Sequence, residues 1–123
     1  FDNVEPVLDN LLRWIKPGGK ILIHGMFNPQ NVDVYLRYNL SENYHQDTYE
    51  TGWNIISQRT ITNLLSKKDV VSHRFHKFQL SVDLKPNKND PLRSWTTTDS
   101  NNERNIINGL CLNQPQYILE INN

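Results

Sequence analysis

The side chains with chemical potential in this 123-residue sequence are a histidine pair, an acid–base pair, one thiol and a scatter of aromatic rings. His73 and His76 are three apart. In a regular strand they point to opposite faces, so a shared metal would need a bulge and two further ligands, and no metal is expected. Asp33 and Arg37 are four apart and would face each other on a helix, where the stronger reading is a solvated ion pair worth a few tenths of a kcal/mol, ~0.3. The weaker reading gives Arg37 an anionic substrate group to hold. Cys111 sits beside Asn108-Gly109 without a histidine partner and reads as a small buried hydrophobe. The serines and threonines cluster in turns and show no nucleophile-elbow pattern. Five Tyr and three Trp offer an apolar body with one polar tip, which suits pocket walls and rims.

Elements must position these groups, and the stretch that organises them is Lys16 to Phe27, KPGGKILIHGMF. Val4, Val7, Leu8, Leu11, Leu12 and Ile15 recur at helical spacing before it, with Asp2 or Asn3 as cap and Glu5 and Pro6 in the first turn. Pro17 bars further helix, and Gly18 and Gly19 supply the backbone angles of a turn. Ile21, Leu22 and Ile23 run without alternation, which predicts a central strand covered on both faces. A parallel strand entered from a helix needs an earlier strand to cross over from, and none precedes it here, so the expectation is the back part of a larger α/β domain.

Further along, Asn28-Pro29 closes the strand. The spacing predicts a helix over 31–40, then a polar lid or loop over 41–54 that carries Tyr49, Gly52 and Trp53. Ser57 is placed to cap a second helix bearing Ile61, Leu64 and Leu65 and ending at Lys67-Lys68. A long β segment over 70–84 shows two parities, which a bulge near His76-Lys77 would bring to one face. A polar excursion over 85–103 has Leu92 and Trp95 as its anchors. Asn108-Gly109 predicts a tight hairpin, and Gln116 to Ile121 a last strand. No second helix separates the last two β segments, so they are expected to pair antiparallel at one edge of an otherwise parallel sheet.

Composition narrows the field. Thirteen basic and thirteen acidic residues leave no global field to draw nucleic acid or an anionic membrane, and the basic residues are dispersed. No apolar run reaches the ~18 residues of a membrane span, and no signal peptide is present. A single cysteine allows no intrachain disulfide and points to a cytoplasmic setting.

The phrase VLDNLLRWIKPGGKILI resembles the helix, turn and fifth strand of class I S-adenosylmethionine-dependent methyltransferases. The later helix, long strand and closing antiparallel strand are similar to the family's sixth and seventh strands. The likeness covers most of the chain in topology and about residues 7–26 in motif. It implies an α/β fold, the C-terminal half of a Rossmann-like methyltransferase sheet, mostly parallel with an antiparallel last strand, and one incomplete domain over 1–123. The family's glycine-rich turn after the first strand has no counterpart here: Gly18-Gly19 precedes a strand instead of following one. The resemblance therefore implies that S-adenosylmethionine is bound mainly by residues upstream, and that this chain alone is inactive and shapes the side of a small-molecule methyl acceptor. Ligands in open α/β sheets sit beyond the carboxyl ends of the parallel strands. This places His24, Met26, Phe27 and Asn28 nearest the chemistry, with Arg37, Tyr38, Tyr49 and Trp53 added from the lid.

On this reading His24, with a reference pKa of about 6.5, is the candidate proton acceptor. The plainer reading, a core strand residue, is the stronger. Phe27, Asn28, Arg37, Tyr38 and Trp53 are candidates for acceptor binding, each also readable as structural. The rival from another class is a non-catalytic binding or assembly module that self-associates through an exposed sheet edge. A nucleotide-dependent Rossmann-like enzyme is a third, poorer fit.

Overall fold

The helix–turn–strand unit forms as its sequence dictates. In the structure, a computed structural model that describes residues 2–123, Phe1 lying outside them, α1 spans Glu5–Trp14. Asn3 Oδ1 accepts the Glu5 N–H at 3.0 Å at its start, and Pro6 occupies the first turn, where a missing donor costs little. The helix ends at Ile15, whose backbone is extended. Gly18 adopts φ +73°, and a Cβ on Gly19 would lie 2.8 Å from the Lys16 carbonyl, so the turn needs both glycines. Strand β1, Lys20–Asn28, follows.

The remaining elements are β2 (Arg37–Tyr38), a 3-10 turn at Ser41–Asn43, β3 (Glu50–Thr51), β4 (Ile56–Ser57), α2 (Gln58–Leu65), β5 (Ser72–Lys77), β6 (Trp95–Thr98), β7 (Arg104–Ile107) and β8 (Gln116–Asn122). The main sheet has the order β4-β1-β8-β5. β4 runs parallel to β1, while β8 is antiparallel to both β1 and β5. The expected antiparallel pairing of the last two main strands is present. The sheet is nonetheless mixed, not mostly parallel by pairing: only the β1–β4 pair is parallel, because β8 inserts between β1 and β5. β1, β4 and β5 still point the same way.

Both helices lie on one face. Leu8 of α1 and Ile61 and Leu65 of α2 pack with Phe27, Leu119 and Ile121, all nearly or fully shielded from solvent. Lys68, just past α2, bridges to Glu5 and Asp9 and ties the helices side by side. The other face is bare: Leu22 is 62% exposed and His24 is exposed. The expectation of a strand covered on both faces is therefore corrected. No described element packs over Leu22 and His24, and a run of apolar residues cannot by itself report that.

Five other expectations change. Residues 31–40 form no helix, because long-range partners take their backbone and side chains. Val34 and Ile55 exchange hydrogen bonds of 2.8 and 2.9 Å, and Leu36 N–H donates to Asn54 Oδ1 at 2.9 Å. Asp33 does not pair with Arg37; its carboxylate accepts the Ser57 N–H at 2.6 Å and the Thr60 hydroxyl at 2.8 Å. The strand expected over 70–84 stops at Lys77 without a bulge, since β8 begins at Gln116 and offers no partner beyond the Phe78–Gln116 hydrogen bond. Asn108-Gly109 is not the hairpin turn. The β6–β7 hairpin turns at 99–103, where Asp99 Oδ1 accepts from Asn101 and Glu103 N–H, and Cys111 is exposed with φ 58°. Ser57 caps α2 as expected, its hydroxyl accepting the Thr60 N–H at 3.1 Å.

Candidate functional site

Two excursions leave the sheet at the end where β1 and β5 finish: residues 29–55 after β1 and 78–115 after β5. They meet over a cleft of about 660 Å³, within the range of small-molecule sites. Tyr38, Asn39 and Leu40 line it from the first excursion, Lys88, Asp90 and Leu92 from the second.

Each wall is held by bonds within its own excursion. Antiparallel pairing of β2 with β3 presents Tyr38, whose hydroxyl donates to Glu50 Oε2 at 2.9 Å. That bond, with some burial and the carboxylate's charge, raises the Tyr38 phenol above its ordinary value, so it remains a hydrogen-bond donor at neutral pH. Asn39 Nδ2 donates to the carbonyls of Asn43 and Gln46 and closes the polar loop on itself. On the far wall the buried Asn108 donates to the Leu92 carbonyl at 3.1 Å and accepts from Leu110 N–H, while Gly109 N–H reaches the Pro91 carbonyl at 2.7 Å. A Cβ on Gly109 would lie 2.7 Å from that same oxygen, which explains glycine there.

The candidate residues do not converge. Tyr38 lines the large cleft. Asn28 lines a smaller one of about 280 Å³ with Pro29, Gln30, Ile55, Asn113 and Pro115, and its amide braces the turn through Val32 O and Gln30 N–H. Arg37 is exposed beside Asp2, Tyr35 and Leu36. Phe27 is turned into the core against Phe75, ring centroids 5.4 Å apart. His24 lies on the bare sheet face with its ring 4.8 Å from that of Phe78, so the core reading of His24 is also corrected. Met26 and Trp53 are half-buried, Trp53 with φ 56°, and Tyr49 is exposed. Lys88 and Asp90 were not singled out, and Leu92 only as an anchor of its excursion, because some fifty residues separate them from Tyr38.

Among the described residues no group of histidines, cysteines and carboxylates is arranged to hold a metal ion, and no helix is long and apolar enough to cross a membrane. His73 and His76 do face opposite ways: His73 Nε2 meets Thr62 Oγ1 at 3.0 Å, and His76 Nε2 meets Glu120 Oε2 at 3.0 Å. Comparison with protein-family models finds none that matches, and searches of curated proteins and of solved structures likewise find no match.

Proposed function

We propose that this chain is the acceptor-side part of an enzyme that transfers a methyl group from S-adenosylmethionine to a small molecule. The observation that carries the reading is the arrangement around β1: a helix and a Pro-Gly-Gly turn lead into it, and a late antiparallel pair, β8 with β5, finishes the sheet beside it. The resemblance in residues 7–26 supplies the reaction class. The cleft between the two excursions, beyond the carboxyl ends of β1 and β5, supplies a place for the acceptor.

Among the described residues no glycine-rich turn follows a strand and opens a helix, so on this reading S-adenosylmethionine would be held mainly by residues upstream of this chain. Its own residues would orient an acceptor and exclude water. Lys88 as a donor and Asp90 as an acceptor on one wall, with the Tyr38 oxygen opposite free to accept while its hydrogen is held by Glu50, suit a small polar acceptor with both donor and acceptor groups. Of the residues expected to serve the acceptor, Tyr38 lines this cleft; His24, Asn28, Arg37 and Trp53 lie outside its lining and Phe27 is in the core, so none of these five is given a role there.

Isothermal titration of the full-length gene product with S-adenosylmethionine tests the reading. Saturable heat is expected there and none from the 123-residue chain alone; a folded full-length protein that gives no heat would overturn it.

A further inference from the structure

A second cleft, of about 250 Å³, lies beside the end of β5 and shares no residue with the acceptor cleft. Three segments wall it: residues 77–80 where β5 ends, 103–106 around β7, and 113–117 leading into β8. Backbone bonds fix them to one another, Phe78 N–H donating to the Gln116 carbonyl at 2.9 Å and Gln114 N–H to the Ile106 carbonyl at 2.8 Å. The cleft is smaller than the ~300–1,000 Å³ of sites for drug-sized ligands, so it has room for one ring system and little more.

Side-chain amides dominate its polar lining: Gln79, Asn105, Asn113, Gln114 and Gln116. Gln114 is 5% exposed, and its Oε1 accepts the Ser94 hydroxyl at 3.0 Å, which holds the amide in place. Its Nε2 has no partner among the described residues, yet it is not sealed in: the one fully shielded side-chain polar atom left unpaired there is Gln58 Nε2. Gln114 Nε2 is therefore a fixed donor that opens on the cleft, satisfied by water or by a ligand that displaces it. Asn105 offers the converse, since its Nδ2 leans on Asp99 at 3.5 Å and leaves Oδ1 to accept. The two cations of the lining are already paired, Lys77 with Glu103 at 3.0 Å and Arg104 with Asp83 at 2.6 Å. Flat apolar area comes from Phe78 and Tyr117, both half-buried, the former braced by the His24 ring.

We propose that this cleft binds a neutral nucleoside by its base. A base edge sets N–H and C=O groups side by side in one plane, the pattern that an Asn or Gln amide complements with two hydrogen bonds. Its faces stack on aromatic rings whatever the base. A phosphate gains little, because Lys77 and Arg104 already serve Glu103 and Asp83. The lining lies wholly within residues 29–117, on the β8–β5 side of the sheet. This inference stands apart from the methyl-transfer reading and does not depend on it.

Side-chain amide NMR of the isotope-labelled full-length gene product tests it, with uridine, cytidine, adenosine and guanosine as probes. At least one is expected to move the Gln114 amide signals saturably at millimolar concentration, without moving those of Asn39 in the acceptor cleft. Gln114→Glu keeps the oxygen that Ser94 reaches and puts a carboxylate oxygen where the free donor stood; it is expected to weaken binding about tenfold or more. Asn105→Ala, at a half-buried position, weakens it as well and does not rely on the first variant folding. The monophosphate of the same nucleoside binds no tighter than the nucleoside, and saturating S-adenosylmethionine leaves the shifts in place, which separates this site from the cofactor's. The absence of a saturable shift with any nucleoside, binding indifferent to both variants, a preference for the monophosphate, or displacement by S-adenosylmethionine would each overturn the proposal.

Discussion

Asp33 shows how one carboxylate replaces an entire predicted helix. Burial raises its pKa, but the Ser57 N–H and the hydroxyls of Thr60 and Ser57 favour the charged form more, and the net shift is downward. A carboxylate at a helix N-terminus also suits the dipole of α2. Asp33→Ala is expected to cost about 1–2 kcal/mol, as loss of a cap and a charged hydrogen bond does, measured by urea denaturation at pH 7. Glu120 plays a comparable part on the bare face: Lys20 at 2.8 Å, Asn122 and His76 hold its pKa at about 2, against burial. Because the folded value lies below the unfolded one, this stabilisation is complete above the ordinary value of 4.5 and is lost as pH falls toward about 2. Thermal melts of Glu120→Gln are therefore expected to lie below wild type at pH 7 and to converge with it near pH 2.

The helix–turn–strand unit and the two central strands carry most of the packing. Leu119 of β8 is fully buried between α1, α2 and β5, so Leu119→Ala is expected to cost ~2–5 kcal/mol. Val82→Ala, at a residue 56% exposed, stays within about 0.5 kcal/mol. The contrast, read from chemical denaturation of the two variants, tests which part of the apolar content is core. Gly18→Ala forces an L-residue to φ +73° and is expected to cost roughly 1–2 kcal/mol. Its cost arises wholly in the turn, since no atom lies within 4 Å of the added methyl.

Across the whole molecule, one sheet face is covered by helices and the other is open, and both long excursions rise from the same end. β8 is hydrogen-bonded on both sides, so its amides are expected to exchange last in a hydrogen-exchange time course. The exposed stretch around Tyr44 and Tyr49 is held by few bonds beyond its own loop and is the expected first site of limited proteolysis. Cleavage inside β1 or β8 ahead of that loop would contradict this order of stability. The same layout accounts for the cleft: neither wall belongs to the sheet, and their meeting depends on two chain segments of unrelated sequence.

Where neighbouring residues decide a structure, reading the chain was enough. Pro17, Gly18 and Gly19 end α1 and aim β1; Ser57 caps α2; β-favouring residues after Pro115 make β8. Each of these outcomes depends on φ preferences and hydrogen bonds spanning a few positions. The stretch 31–40 misled because its apolar spacing matches a helix, while its partners Ser57, Ile55 and Asn54 lie some twenty residues away and compete for the same groups. Burial of Phe27, exposure of His24 and the joining of Tyr38 to Lys88 across a cleft were set only when β8 took its place between β1 and β5. Strand order is a choice among distant partners, and it decides which side of each residue meets water.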